Sequence, residues 1–233
     1  MKNTKEYIKN ALLGIVVILA YIIIPNIDAM LFEICGVNTN NIPLLPKIIC
    51  SLASSIMTLA TILLILHKKI EKDFKDIKKN HKEYFSKYFK FWLIGLAIMM
   101  ISNLIITFIT SNEMPANEEA IRSLMKISPL YVYISAVFIA PLTEELVFRQ
   151  GIRNIIPNNI LFIIVSGLVF GSLHVLTDIS NWYDILYLIP YCTPGFIFAY
   201  ILTKTDNIFV SAGLHFMHNG LLMSLQFFIL LFS

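Results

Sequence analysis

The amino-acid sequence predicts an all-α fold, a polytopic membrane bundle of about seven transmembrane helices, from its composition, its long apolar runs and its lack of period-two alternation. Of the 233 residues, 57% are hydrophobic and only 14% charged, and the mean hydropathy is +0.74, which takes the chain out of the ordinary soluble class. Apolar runs fall at about 9–30, 45–67, 90–111, 127–156, 159–177, 184–203 and 207–232. Each is near the roughly 20 residues that a helix rising about 1.5 Å per residue needs to cross a bilayer. None alternates as a barrel strand would.

The first run follows Lys2, Lys5 and Lys9, a basic start like that of a signal peptide. No small-x-small cleavage site follows it, so it is expected to stay as the first span. After the second run comes the only long hydrophilic stretch, "KKIEKDFKDIKKNHKEYFSKYFK". Its Ile70, Phe74, Ile77, Tyr84, Phe85 and Tyr88 recur at helical spacing, which suits either a basic amphipathic helix on anionic lipid or a solvated connector.

If seven spans alternate, fifteen of the eighteen lysines and arginines share one side: Lys2, Lys5, Lys9, nine lysines from Lys68 to Lys90, Arg149, Arg153 and Lys204. Lys47, Arg122 and Lys126 fall on the other. The positive-inside tendency makes the crowded side cytoplasmic, with the N-terminus inside and the C-terminus outside. Residues 1–124 then form a three-span region with a basic segment at 68–90, and residues 125–233 a four-span core, within one integral membrane domain. The expected location is a bacterial cytoplasmic membrane.

Other classes leave no mark. Cys35, Cys50 and Cys192 have no paired spacing, so neither a disulfide framework nor a cysteine zinc site is expected. Cys192 lies in "PYCTP", where the prolines explain a kinked helix and no base is assigned to a thiol nucleophile. No internal repeat, phosphate loop or nucleic-acid signature occurs. HExxH and GxSxG are missing, and the nearest aspartates, Asp178 and Asp184, fall at a helix end and loop.

The informative residues are polar groups inside apolar spans. In "PLTEELVFRQ" the adjacent Glu144 and Glu145 are followed by Arg149. A regular helix sets Glu145, Arg149 and Arg153 on one face and turns Glu144 about 100° away. An uncompensated charge in the bilayer costs roughly 2.5–3.5 kcal/mol on the lenient scale, so Glu145 is expected to pair with Arg149. Glu144 keeps no local partner. The next span, "ILFIIVSGLVFGSLHVL", holds one ionisable residue, His174, on nearly the face of the small residues Gly167 and Gly171. Glu144 and His174 each lie fifteen residues from position 159, so an antiparallel hairpin sets them level. In the last span Ser211, His215 and Asn219 line one face, with His218 about 60° away. His215 comes out about 12 Å from the cytoplasmic end and Glu144 about 20 Å. Carboxylate, imidazole and amide at a shared depth can hold a water, take its proton and donate to an oxyanion.

These residues resemble the CAAX prenyl protease type II and bacteriocin-processing (CPBP, Abi) intramembrane proteases. The EExxxR motif corresponds to Glu144, Glu145 and Arg149, FxxxH to Phe170 and His174, and HxxxN to His215 and Asn219, in order, over roughly 125–232. The family often follows its arginine with glycine, whereas here Gln150 precedes Gly151. The resemblance implies an endopeptidase opening to the cytoplasm, with catalytic Glu144 and His174 activating water and His215 and Asn219 stabilising the oxyanion. It makes Glu145 and Arg149 active-site supports, with Arg149 also able to attract a substrate carboxylate. Relatives are commonly labelled metalloproteases; Glu144, His174, His215 and His218 could ligate zinc by type, but a glutamate–histidine pair also activates water without metal. The expected partners are a peptide or protein substrate at the membrane and the lipid bilayer, with no nucleic acid and no indication of oligomeric state. The alternatives are a non-proteolytic scaffold or bacteriocin-immunity protein using the same cavity, and a small transporter, for which inverted repeats are missing.

Overall fold

The computed structural model describes residues 4–34, 42–110, 116–176, 179 and 181–232, and among them every regular element is helical. In chain order these are α1 (Thr4–Ile34), α2 (Leu44–Ile65), α3 (His67–Ile109), α4 (Ala116–Ile127), α5 (Pro129–Ile155), α6 (Asn159–Val175), α7 (Trp182–Thr205) and α8 (Ile208–Phe232). Six of them, all but α4 and the shorter apolar α6, are long and apolar enough to cross a membrane. The expected polytopic bundle of about seven apolar helices is therefore present. Cys35 lies outside the described residues.

Small residues set how closely the helices approach. Gly14 on α1 meets the carbonyl of Gly151 on α5, where a Cβ would collide with backbone. On α6, Gly167 lies against Phe196 and Gly195, and Gly171 against Cys192, so the GxxxG ridge is the contact with α7. That accounts for Cys192 as a buried packing group, 4% exposed.

The basic stretch after the second span differs from both expectations for it. It is neither a separate surface helix nor a solvated connector but the first half of α3, continuous with the third span. Its apolar stripe is used against protein. Ile77, Tyr84 and Phe85 pack with the buried Tyr88 and Trp92 against Phe198 and Ile201 of α7 and Val210 and Leu214 of α8. Phe74 alone of that stripe stays half exposed, with Lys78 over its ring. Burying the stripe on α7 and α8 removes its apolar area from water without requiring lipid.

This packing also anchors the start of α8. Asp73, 1% exposed, accepts the Ile208 amide at 3.0 Å and pairs with Lys69 at 3.0 Å. Asn207 donates to the Asp73 carbonyl at 2.8 Å and accepts from the Phe209 amide at 3.0 Å. Asp206 takes a left-handed conformation, φ 46°, at the end of α7 and binds Lys69 and Lys72. Partial burial pushes the Asp206 carboxyl up, but the two lysines outweigh it and hold it below its ordinary range. Asp73→Ala removes an acceptor from a helix start and one of the two carboxylates that pair with Lys69, at a cost of about 1–3 kcal/mol. Asp73→Asn keeps an acceptor for Ile208 and should lose less. Thermal unfolding in detergent checks the order.

Candidate active site

The site is built on α5, whose helix is irregular. Two stretches, Ser135–Ile139 and Glu145–Gly151, are wound as π-helix, separated by the α-helical Ala140–Glu144. Such turns close i→i+5 bonds and recur at functional sites. Pro141 explains one consequence of the first. The Ala140 amide bonds back to the Ser135 carbonyl, so in the same register the next carbonyl, that of Ala136, would take the amide of Pro141. Proline has none. The Ala136 carbonyl instead accepts from the Asn219 side chain of α8 at 2.8 Å.

The second π stretch buries Glu145 and Arg149 completely. Their ion pair is present, with Arg149 Nε 3.3 Å from Glu145 Oε1. The guanidinium also lies over the Phe170 ring, 4.4 Å from its centroid, a geometry that favours a cation. Arg149 has no exposed surface and is paired with Glu145. Arg153 is not on this face. It donates to the Pro157 carbonyl at 2.9 Å and to Asn159 Oδ1 at 2.6 Å, tying off the α5–α6 turn, because π winding breaks the spacing a regular helix would give.

Glu144 sits where three helices meet. Its Oε1 is 4.0 Å from His174 Nε2 and its Oε2 is 3.7 Å from His215 Nε2. The greater depth expected for Glu144 is absorbed because π turns hold more residues per turn and shorten α5 between Glu144 and its end. Both gaps exceed a direct hydrogen bond and suit a bridging water. The far side of each imidazole is held. His174 Nδ1 lies 2.8 Å from the Phe170 carbonyl, and His215 Nδ1 lies 3.1 Å from Glu145 Oε1. A carbonyl can only accept, so Nδ1 of His174 carries the hydrogen, and Nε2 is the ring nitrogen that faces Glu144. Glu145 thus holds two neighbours at once, Arg149 and His215. Aromatic rings wall the cluster: Phe198 stacks on His215 at 4.8 Å, and Tyr191 on His174 at 5.6 Å. His218 is buried against the Phe198 edge at 6.2 Å and makes no ion pair with either glutamate.

By donor type Glu144, His174 and His215 suit zinc. Among the described residues, however, no three His, Cys, Asp or Glu side chains converge as a metal-binding group.

From Glu144 a cavity of about 410 Å³ runs between α1, α2 and the first half of α5. Tyr21, Asn26, Ser55, Thr58, Ser135 and Thr143 contribute to its wall. None of these carries a family motif. The hydroxyl-rich "SLASSIMTLAT" of α2 and Asn26 after Pro25 were the available signals, since polar groups in an apolar span ask for a reason.

Residues 126–221 match the family model described as type II CAAX prenyl endopeptidase Rce1-like. The class defined by fold and site is therefore a multi-pass membrane protein with an Rce1-like segment, and the resemblance read from the three motifs holds over the helices that carry them. That family is described as one of endopeptidases. An uncharacterized protein of Mycoplasma capricolum is 34% identical over 152 residues, covering 58% of this chain and 40% of that one. A Bacillus subtilis protein, YdiL, named provisionally as a membrane peptidase, is 28% identical over 113 residues, 47% of this chain and 43% of the relative. The UPF0177 protein YvdC of Lactococcus lactis is 23% identical over 141 residues, 57% and 52% of the two chains. The matched segments span about half or less of these relatives. No solved structure matches.

Proposed function

We propose that this chain is an intramembrane endopeptidase that hydrolyses a peptide bond with a water held between Glu144, His174 and His215. The observation that carries the reading is the convergence of the two Nε2 atoms on one carboxylate, at 4.0 and 3.7 Å, from helices that share no sequence neighbourhood. Glu144 takes the proton of the water as its oxygen attacks the carbonyl carbon. His174, oriented by the Phe170 carbonyl, keeps that water in place. The C–N bond then breaks, the hydroxyl stays on the carbonyl carbon, and Glu144 returns the proton to the leaving amine.

His215 is the oxyanion donor. Its Nδ1 lies 3.1 Å from Glu145 Oε1 and its Nε2 is turned toward the water beside Glu144, where an Nε2 hydrogen would donate to the oxyanion. Asn219 spends one amide hydrogen on the Ala136 carbonyl and has a second for the same oxyanion. Glu145 orients His215 as a buried carboxylate orients an imidazole in hydrolase triads.

The reading is metal-independent. Hydrolysis should survive exhaustive chelation, and activity lost to a chelator and restored by zinc alone would refute it. The experiment that tests the function is a comparison of membrane proteomes from cells expressing the wild type and the Glu144→Gln variant at equal abundance. New termini inside or beside spans should occur with the wild type only. Identical sets of termini would favour the scaffold or immunity alternative.

A further inference from the structure

The apolar stripe in the first half of α3 is buried on protein, but the opposite face of the same helix is not. At about 100° per residue, Lys68, Lys78, Lys79, Lys82 and Lys90 fall within about 120° of one another, across the helix from Ile77, Tyr84 and Tyr88. All five lysines are exposed. Lys69, Lys72 and Lys75 are paired with Asp73, Asp206 and Glu71, whereas these five and Lys87 make no ion pair among the described residues. The acids of the segment are engaged elsewhere. Asp73 holds the Ile208 amide, and Asp76 accepts from Asn80, Tyr84 and Asn207. Glu83 is the one acid left beside the unpaired lysines.

The direction of this face follows from what lies behind it. Asp73 reaches the start of α8 at Ile208, and Phe85 rests against Gly213. A stretch of α3 about 18 Å long thus passes only about 7.5 Å of α8, at a rise of about 1.5 Å per residue. The basic segment therefore runs obliquely near the end of the bundle where α7 turns into α8. It lies on the flanks of those helices, at Ile201, Val210 and Leu214, rather than across their ends. Its lysines are turned sideways, out of the bundle. Further along α3 the same face becomes apolar, for Leu93, Met100 and Leu104 lie on it and are exposed. Phe89, exposed among the lysines, stands at the change, where a ring suits the boundary between headgroups and acyl chains.

An acidic protein segment would match the lysines but leave Phe89 and the leucines beyond it uncovered. An anionic phospholipid matches both parts, because lysine clusters beside a span attract its headgroup and the apolar stripe accepts its chains.

We propose that the lysine face of α3 is a docking surface for the headgroups of anionic phospholipids, with the acyl chains of the same lipids lying along Leu93, Met100 and Leu104.

The test uses the purified full chain in nanodiscs of phosphatidylcholine. These are doped with diazirine phosphatidylglycerol or, in a parallel sample, with diazirine phosphatidylcholine, each carrying the diazirine on the acyl chain near the glycerol. Mass spectrometry of the digested protein should find the phosphatidylglycerol probe on residues 78–100 about tenfold more often than the phosphatidylcholine probe. Salt at about 1 M should remove most of that excess, since it shortens the reach of surface charge to about 3 Å. The Lys79→Gln/Lys82→Gln/Lys90→Gln variant should lose the excess, while Lys47→Gln/Lys126→Gln, which removes lysines from other helices, should keep it. Lys79→Gln/Lys82→Gln repeats the measurement if the triple variant does not accumulate. Equal labelling by the two probes, or an excess that survives salt or the α3 variants, would overturn the proposal. So would displacement of the lipid probe by a hexaglutamate peptide, which would point to an acidic polypeptide as the partner.

Discussion

Glu144→Gln should abolish proteolysis, by about 10²–10⁴-fold or more, while the protein still inserts and accumulates. The amide keeps the size of the carboxylate, and Glu144 is not part of the buried ion pair, so little packing is disturbed. What is lost is the proton acceptor between His174 and His215, at 4.0 and 3.7 Å. His174→Ala should give a comparable loss, because it removes the second group on the same water. Both losses are read as initial rates at equal amounts of folded protein.

Glu145→Gln should fail for a different reason. Arg149 is fully buried, its terminal guanidinium nitrogens make no hydrogen bond among the described residues, and Glu145 is its counter-charge at 3.3 Å. Breaking such a pair by removing one partner costs about 3–5 kcal/mol, since the remaining charge is left uncompensated. Stability and activity should fall together. Replacing both partners, Glu145→Gln with Arg149→Met, should recover much of the stability, because an apolar pair of similar volume is often no worse than a buried ion pair. It should not recover activity, as His215 still lacks its carboxylate. Thermal unfolding and hydrolysis of the three variants side by side check this, and a double variant no more stable than Glu145→Gln would count against the ion-pair explanation.

Much of this was legible in the residues. The apolar runs located the helices because length and hydropathy suffice for a bundle of spans. Counting back from position 159 set Glu144 and His174 level, and the two side chains do face each other. The pairing of Glu145 with Arg149 followed from spacing, which survives within the π turn. Other features were hidden because periodicity assumes 3.6 residues per turn. Two π stretches in α5 broke that assumption and carried Arg153 away from the site, while Arg149 is fully buried. The apolar stripe of residues 70–88 showed that a partner surface was needed but not which one, and the choice of α7 and α8 over lipid is a tertiary outcome. Likewise the hydroxyls of α2 could be seen, but which way they face depends on how α1 and α2 dock.

The most direct measurement places the chain in lipid vesicles with a substrate found by the proteome comparison and follows peptide-bond cleavage by mass spectrometry, wild type against Glu144→Gln. Cleavage by the wild type and none above background by a folded Glu144→Gln protein is the predicted result. Equal cleavage by the two proteins would contradict the assignment of Glu144 as the group that activates water.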